Sequence, residues 1–240
     1  NPSVDKYAMA LFENQDVVKV IRAHTETLDM LSDFVYKLPK MVLDDGRIHG
    51  SFHQAGTWEE HGGEHHGSPA TGRLSSSGPN LQQIATRGRW GKAIRKAFIP
   101  APGCVFVGGD VEQEELRIAA LLSNCRVLLD IFERGEDPHA AMALRLGLNP
   151  GIKKERDVAK NSNYAFIYRV GIDKFVAMAA EGGSLLTHPQ AKALMAAFYE
   201  VCPEIQVWWK NTIEACRERL YVETWFGRRR YLPEIHSGRR

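Results

Sequence analysis

The sequence predicts an α+β fold in which strands near the middle of the chain are followed by a largely helical block. Residues 46–56 alternate apolar and polar side chains as a strand does, and residues 104–110 form a short apolar run that also predicts a strand. From Asp130 to Leu220, apolar residues recur mostly at helical spacing. No internal repeat is present, so a repeat architecture is not expected.

The individual elements follow from the spacing of apolar residues and from turn signals. Residues 15–38 predict a helix that stops at Pro39, and residues 57–72, rich in Gly and His, predict a loop. Residues 112–123 predict an amphipathic helix, and two β-prone runs around Gly227 predict a hairpin. The other predicted helices span residues 138–147, 152–168, 172–181, 188–200 and 203–220.

The composition, with 44% hydrophobic and 25% charged residues, is typical of a soluble globular protein. Its charges are segregated: basic runs lie at 87–96 and 228–240, and an acidic cluster lies at 110–115. Such segregation suits a polyanion-binding groove beside a metal or acid–base centre. Solvated helix faces and loops explain any one of these runs equally well.

The cysteines and apolar runs exclude several classes of protein. Four scattered cysteines without a CxxC pair argue against a disulfide framework or a zinc knuckle. No apolar run approaches the roughly 20 residues that a membrane span needs, and the N-terminus has no signal-peptide pattern. We therefore expect a reduced cytoplasmic protein with no membrane partner. The first residue is Asn, and we expect the chain to be part of a longer one.

Asp110 lies between a predicted strand and a predicted helix. A carboxylate in this position, together with a neighbouring carbonyl, can bind a hard cation such as Mg²⁺. The same residue could instead be the N-cap of the following helix. Glu115 lies one turn into that helix, where it could overhang the same place or simply face solvent.

Arg156, Lys160, Tyr164 and Tyr168 recur at intervals of four and therefore form one stripe of a predicted helix. Arg and Lys one turn apart match a polyphosphate, and an aromatic ring one turn further can stack on a base. The stripe therefore fits a nucleoside triphosphate. Surface cations followed by two core tyrosines are the alternative interpretation.

Residues 71–83 are rich in hydroxyls and amides, contain one Arg, and have few bulky apolar groups. Such a segment can donate hydrogen bonds to the phosphates and sugars of a nucleic acid. A polar surface loop has the same composition, so this segment alone does not decide between the two.

Five separated segments together resemble, in order, the motifs of family A DNA polymerases, the bacterial polymerase I type that many phages also carry. The segments are GRIHGSFHQAGT with ATGRLSSSGPNLQQI, GGDVEQEELRIAA, GEDPHAAMA, RDVAKNSNYAFIY and ETWFGRRRYLPEI. The resemblance implies an incomplete right-hand polymerase fold with a small antiparallel palm sheet and a largely helical fingers subdomain. It places the end of the thumb at 1–45, a palm portion with the first catalytic motif at 46–122, and the fingers at 123–240.

The resemblance also implies roles for single residues. Asp110 would be catalytic and would bind two Mg²⁺ ions with help from the Val111 carbonyl, and Glu115 would be a steric gate against ribose. The implied nucleotide-binding residues are Gln113, Glu115, His139, Arg156, Lys160 and Tyr164. The implied template- and primer-binding residues are Arg73, Asn80, Gln82 and Tyr168.

The sequence departs from the family pattern in four places. Residues 111–114 are Val-Glu-Gln-Glu where Tyr-Ser-Gln-Ile is common, and Ala165 and Arg169 stand where glycines usually follow the aromatics. We expect these two replacements to affect handling of the template. Residues 58–69 resemble an inserted mobile loop, and the second catalytic carboxylate motif of the family lies outside these 240 residues.

The resemblance therefore implies a template-directed DNA polymerase fragment whose partners are primer-template DNA, dNTPs, and the remainder of the polymerase chain or a complementary subunit. We expect the fragment alone to be inactive and to come from the cytoplasm of a bacterium or a phage-infected host. The alternatives are a non-catalytic nucleotide- or nucleic-acid-binding module and one half of a split polymerase. A single-subunit RNA polymerase is disfavoured by Glu115.

Overall fold

The computed structural model describes residues 12, 15–54, 59–61, 64–66, 69, 71–86 and 88–237. The chain divides into two compact units, one formed by Lys19–Gly109 and the other by Asn1–Val18 with Asp110–Arg240. The subdomain boundaries expected at residues 45 and 122 stay predictions.

The described residues form nine α-helices and six short strands. The helices are α1 Asp16–Met30, α2 Gly88–Lys96, α3 Glu114–Ser123, α4 Arg126–Glu133, α5 Pro138–Arg145, α6 Lys153–Ile167, α7 Ile172–Glu181, α8 His188–Val201 and α9 Pro203–Arg219. The strands are β1 Ser51–His53, β2 Glu59–His61, β3 Glu64–His66, β4 Ser75–Ser77, β5 Tyr221–Glu223 and β6 Arg229–Tyr231. They form three antiparallel pairs, β1 with β4, β2 with β3 and β5 with β6. The α+β class is confirmed.

The helix predicted at 15–38 is shorter than expected. α1 ends at Met30 and continues as one π-helical turn, Leu31–Val35, and a 3₁₀ turn, Leu38–Met41. Pro39 stands near the start of the 3₁₀ turn, where its missing N–H removes no helical hydrogen bond. The α-helix has already ended at Met30, nine residues before Pro39, so the expected stop at this proline is wrong.

The sequence predicted a strand at 46–56 and a loop at 57–72; the structure supports the first and contradicts part of the second. The strand predicted at 46–56 is confirmed at its centre, since β1 pairs with β4 through Phe52 opposite Ser76. The loop predicted at 57–72, and with it the mobile inserted loop at 58–69, is wrong in part because β2 and β3 form a hairpin with Glu60 opposite His65. The sequence between these strands is Gly-Gly, which two-residue hairpin connections favour. Residues 55–58, 62–63, 67–68 and 70 lie outside the described residues.

The strand predicted at 104–110 does not form. No described residue pairs with this segment, and its apolar side chains are exposed: Val105 by 79%, Phe106 by 69% and Val107 by 92%. A strand needs a hydrogen-bonded neighbour, and an apolar run in the sequence cannot show whether the neighbour is present.

The predicted helical block is confirmed in the unit that contains Asp110–Arg240. The ends of α5 to α9 agree with the predicted helices within two residues, α3 begins two residues later than expected, and α4 was not predicted. Helices α3 to α9 contribute to one hydrophobic core. The largest fully buried apolar side chains are Phe166, Phe175, Phe198, Leu116, Leu128, Ile131, Met142 and Ile205, and each contributes about 1.5–3 kcal/mol. Nowhere in the described parts of the chain is a helix both long and apolar enough for a membrane crossing.

The C-terminal end of α6 is closed by backbone hydrogen bonds that need a left-handed residue. The N–H of Val170 donates to the carbonyl of Ala165 at 2.7 Å, and the N–H of Arg169 donates to the carbonyl of Phe166 at 3.2 Å. Arg169 has φ of 54°, a conformation that glycine adopts without the steric cost of a Cβ. Its guanidinium lies 5.4 Å from the ring centre of Trp209.

We expect Arg169→Gly to be more stable than Arg169→Ala by about 1 kcal/mol, because both lose the contact with Trp209 but only Ala keeps the left-handed strain. Urea unfolding of the two variants measures the difference. The matched control is Lys192 in α8, where Gly should be less stable than Ala by about 1 kcal/mol. If the Ala variant were more stable than the Gly variant at both positions, Arg169 would not be strained.

Candidate nucleotide site

Helix α6 presents the predicted stripe on its outer side. Its inner side is buried and consists of Val158, Ala159, Ser162, Asn163, Ala165, Phe166 and Ile167. On the outer side, Lys160 is exposed, Arg156 and Tyr164 are half-buried, and Tyr168 is 60% exposed. Lys160 therefore lies at the surface, as the alternative interpretation expected, but Tyr168 is not the core tyrosine that this interpretation required.

Asp137 fixes the start of α5 and the position of Arg156. Its Oδ1 accepts hydrogen bonds from the N–H of His139 at 2.9 Å and of Ala140 at 3.4 Å. Its Oδ2 accepts from Nη2 of Arg156 at 2.5 Å and from Nε at 3.2 Å. Burial alone would raise the pKa of Asp137, but these hydrogen bonds outweigh it and lower the pKa. Asp137 therefore stays ionised and holds Arg156 in place.

His139 is buried, with 5% exposure, beside the stripe. Its ring centre lies 5.9 Å from that of Tyr164, and its Nδ1 lies 3.3 Å from the amide nitrogen of Asn163. Burial lowers the pKa of His139; the charges of Lys160 and Arg156 lower it further, while Asp137 opposes them. With the amide N–H donating to Nδ1, the ring is neutral and carries its proton on Nε2, where it can donate to an anion.

Helix α3 begins at a strained residue, Gln113, three residues after Asp110. The N-cap of α3 is Gln113, with φ of 57°, so the alternative that Asp110 caps this helix is wrong. The Oε1 atom of Gln113 is buried and has no hydrogen-bond partner within the part of the chain that the structure describes. Asp110 and Val111 are exposed. A buried amide oxygen without a partner at this turn agrees with a residue kept for a ligand.

Glu115 links the first turn of α3 to the end of α6. Its Oε2 accepts a hydrogen bond from the hydroxyl of Tyr168 at 3.0 Å. Burial raises the pKa of Tyr164, and the charge of Glu115 raises it further. Glu115 is exposed as the alternative interpretation expected, yet it is held in place. The structure therefore brings together the predicted residues on α3, α5 and α6.

The predicted metal site fits the described residues only in part. Asp110 supplies one carboxylate, and the carbonyl of Val111 accepts a hydrogen bond from Glu114 N–H at 3.4 Å. No group of three or more His, Cys, Asp or Glu side chains that could hold a metal occurs in residues 15–54, 59–61, 64–66, 71–86 and 88–237. The donors among these described residues do not by themselves form the two-ion site that the resemblance implies.

The three remaining candidate residues belong to the unit formed by Lys19–Gly109: Arg73, Asn80 and Gln82. Arg73 and Gln82 are exposed, while Asn80 is half-buried. The side-chain oxygen of Asn80 accepts a hydrogen bond from the N–H of Gln82 at 3.0 Å and caps the 3₁₀ turn Leu81–Gln83. This cap gives Asn80 a structural role, and its contact with nucleic acid stays a prediction.

Two residues of the site were not singled out from the sequence. Asp137 could have been found, because Asp followed by Pro is a signal of a helix N-terminus. Asn163 gives no such signal: its side chain is fully buried on the inner side of α6, and its Oδ1 has no hydrogen-bond partner in the described regions. Only the fold shows that it contacts His139.

The sequence and the fold are similar to those of known polymerases. The family described as DNA polymerase family A matches residues 1–240. The chain is 35% identical to the thermostable DNA polymerase I of Thermus filiformis over 225 residues, which covers 92% of this chain and 25% of that protein. It is 35% identical to DNA polymerase I of Pseudomonas aeruginosa over 242 residues, covering 98% of this chain and 25% of the relative. The chain thus spans about a quarter of the length of these relatives.

A solved structure has the same fold. The POL domain of Pol1 from M. smegmatis, in complex with DNA primer-template and dNTP, superimposes with a TM-score of 0.79 at 29% sequence identity. The match covers 99% of this chain and 40% of that chain. The expected incomplete polymerase fold is confirmed. This chain belongs to DNA polymerase family A.

Proposed function

We propose that this chain is the palm and fingers portion of a template-directed DNA polymerase and that its helix α6 binds the incoming dNTP. The observation that carries the proposal is the outward stripe of two cations followed by two aromatic rings, with His139 and Glu115 beside it. The similar M. smegmatis domain is in complex with primer-template DNA and dNTP, which supports the same ligands for this chain.

In this proposal the cations and His139 hold the triphosphate. Lys160 is exposed and has no hydrogen bond or ion pair with the described residues, so its ammonium group is available to a phosphate. Arg156 would exchange the Asp137 carboxylate for a phosphate of similar geometry. The Nε2–H group of His139 would donate a third hydrogen bond. Two full charges and one neutral donor suit a polyanion without burying excess positive charge.

The aromatic and acidic residues hold the nucleoside. Tyr164 is half-buried; its ring centre lies 5.9 Å from that of His139, and Glu115 is near enough to raise its pKa. We propose that this ring stacks on the nucleoside. Glu115, fixed by Tyr168, would lie under the sugar and exclude a ribose 2′-hydroxyl. Gln113 would contact the nucleotide through its unpartnered Oε1 atom, and Tyr168 and Arg73 would contact the template and primer.

Asp110 would supply one carboxylate to Mg²⁺, with the Val111 carbonyl as a further donor. Bound Mg²⁺ would neutralise charge that develops on the phosphates during nucleotidyl transfer. The remaining carboxylate ligands would come from polymerase sequence outside these 240 residues or from a complementary subunit. The apolar side chains of Val105, Phe106 and Val107 are exposed, and exposed apolar groups of this kind suit a contact with that missing segment or subunit.

Because the described residues contain no group of three or more potential metal ligands, two other functions also fit: a nucleotide-binding module without catalysis, and one half of a split polymerase. We expect the purified chain with Mg²⁺ to bind dNTP but to extend a primed template poorly or not at all. Extension should appear when the chain is joined to, or mixed with, the missing polymerase segments of a family A relative. If extension stays absent although dNTP binds, the chain is a binding module.

We expect Lys160→Ala to weaken dNTP binding by about 10- to 150-fold, because a lost charge-assisted hydrogen bond costs about 1.5–3 kcal/mol. Arg156→Ala should cause a similar loss. Equilibrium binding of a dNTP to the chain measures both. The matched control is Lys153→Ala, since Lys153 lies on the same helix but pairs with Asp157 at 2.7 Å outside the stripe.

The control variant should bind dNTP as the original chain does. Equal affinities for the Lys160 and Lys153 variants would remove the stripe from the nucleotide site and would contradict the proposed function. Because Arg156 also binds Asp137, the thermal midpoint of the Arg156 variant should be measured in parallel, and Lys160 gives the cleaner result.

We expect the pKa of His139 to lie below about 6.5, its ordinary value, and to rise when dNTP binds, because phosphate charge favours the imidazolium. A histidine NMR titration with and without dNTP measures the shift. Since the pKa is lowered in the folded chain, the stability that His139 contributes is lost as pH falls through its folded pKa. An unchanged pKa with bound dNTP would place His139 away from the phosphates.

A further inference from the structure

The candidate nucleotide site contains a buried amide whose hydrogen bonding is incomplete. Asn163 lies on the inner side of α6 and has 0% exposure. Its amide nitrogen is 3.3 Å from Nδ1 of His139 on α5, whereas its Oδ1 atom has no hydrogen-bond partner in the described parts of the chain. A buried polar atom without a partner costs free energy. A second state of the site in which Oδ1 has a partner would recover that cost.

Nε2 is the ring nitrogen of His139 that remains available to a ligand. The ring is buried, with 5% exposure, and its Nδ1 faces the amide of Asn163. Burial lowers the pKa of His139, and so do the charges of two cations, whereas one carboxylate raises it. The charged and titratable side chains that act on the ring or contact it from α5, its N-cap and α6 are Asp137, Arg156, Lys160 and Tyr164. Without a ligand, this environment favours the neutral ring.

The amide of Asn163 can face the ring in two orientations of nearly equal shape. With its N–H toward Nδ1, it donates to a neutral ring whose proton is on Nε2. Half a rotation about the Cβ–Cγ bond exchanges the nitrogen and the oxygen, so that Oδ1 accepts from an N–H group on Nδ1. An imidazolium carries protons on both ring nitrogens and therefore needs this second orientation. The exchanged atoms are similar in size, so the buried surroundings accommodate both orientations without repacking.

We propose that Asn163 is a positioning residue whose amide turns with the protonation of His139, donating to Nδ1 of the neutral ring and accepting from Nδ1–H when a bound triphosphate favours the imidazolium. The ring takes the added proton from solvent, and Oδ1 gains the partner that it lacks. Nε2–H is the donor to the phosphate in both states, because Asn163 occupies the other ring nitrogen throughout. The inference rests on the proposed dNTP site on α6 and adds to it a proton that is taken up on binding.

The first test is ¹⁵N NMR of the 240-residue chain with labelled histidine, with dATP as the ligand. In the absence of dATP at neutral pH, Nδ1 of His139 should be unprotonated and Nε2 should carry the proton. At saturating dATP both nitrogens should be protonated. A proton on Nδ1 without ligand, or a bare Nδ1 in the complex, would overturn the proposal. This experiment on the unchanged chain does not depend on whether any variant folds.

Two substitutions of similar size should move His139 in opposite directions. Asn163→Leu removes the acceptor for the imidazolium, so the pKa of His139 should fall further and dATP should bind about 2- to 12-fold more weakly, as expected for one lost hydrogen bond. Asn163→Asp supplies only acceptors, so the proton should sit on Nδ1 even without ligand and the pKa should rise. A loss of packing alone would not separate the two variants. Shifts in the same direction would contradict the proposal.

Ser162→Ala is the matched control. Ser162 is the next residue along α6 and is also fully buried, but its hydroxyl donates to the carbonyl of Val158 at 2.9 Å within the same helix. This variant should leave the ring protonation of His139 and the affinity for dATP unchanged, whatever its effect on the thermal midpoint. If it moved the His139 signals as far as Asn163→Leu does, the effect would be general repacking and the assignment to Asn163 would fail.

Proton uptake separates this inference from the proposed function. Calorimetric titration with dATP in two buffers of different ionisation enthalpy should show uptake of part of a proton by the original chain and almost none by Asn163→Leu. If dATP binds but His139 stays neutral, the proposed function stands and the inference fails. If dATP does not bind, the proposed function fails, and the pH titrations of the ligand-free Leu and Asp variants still decide whether the amide of Asn163 serves both states of the ring.

Discussion

The orientation of helix α6 about its own axis is the constraint on which the proposed nucleotide site depends. Phe166 is fully buried, and its ring centre lies 4.6 Å from that of Phe175 and 5.5 Å from that of Phe198. Its carbonyl accepts a hydrogen bond from Tyr199, and the next carbonyl, of Ile167, accepts one from the Trp209 ring. Rotating α6 would break both the aromatic packing and these partly buried hydrogen bonds, so the core determines where the side chains proposed to bind phosphate point.

Asp137 adds electrostatic order to this packing. It caps α5 and binds Arg156 of α6, so one carboxylate places both His139 and a cation beside the same outer stripe. A phosphate would compete with Asp137 for Arg156. Each side of that exchange involves charge-assisted hydrogen bonds of about 1.5–3 kcal/mol, so little net free energy is needed to change partner. The guanidinium is thus positioned before the ligand arrives.

What the sequence could predict depended on how local each feature is. The helices of residues 110–240 follow from apolar residues spaced three and four apart, and the outward stripe of α6 follows from residues spaced four apart. The sequence displays both spacings directly. The prediction of a strand at 104–110 was wrong because strand formation depends on a hydrogen-bonded neighbour elsewhere in the chain. The contact between His139 and Asn163 joins two helices across a buried face, and no pattern along either helix contains it. The outward placement of the candidate residues on one helix was therefore predictable, and their contacts with residues on other helices were not.

The two positions at which the family commonly has glycine are occupied in different ways. Ala165 fits the core with 1% exposure, and its carbonyl closes the end of α6. Arg169 keeps the left-handed conformation at a cost of about 1–2 kcal/mol, offset in part by about 0.5–1 kcal/mol from its contact with Trp209. Trp209 also donates to the carbonyl of Ile167, so the ring that holds the end of α6 holds Arg169 as well. Moving this helix end therefore requires breaking two contacts with one ring, whereas glycine at position 169 would leave only the hydrogen bond from Trp209 to Ile167.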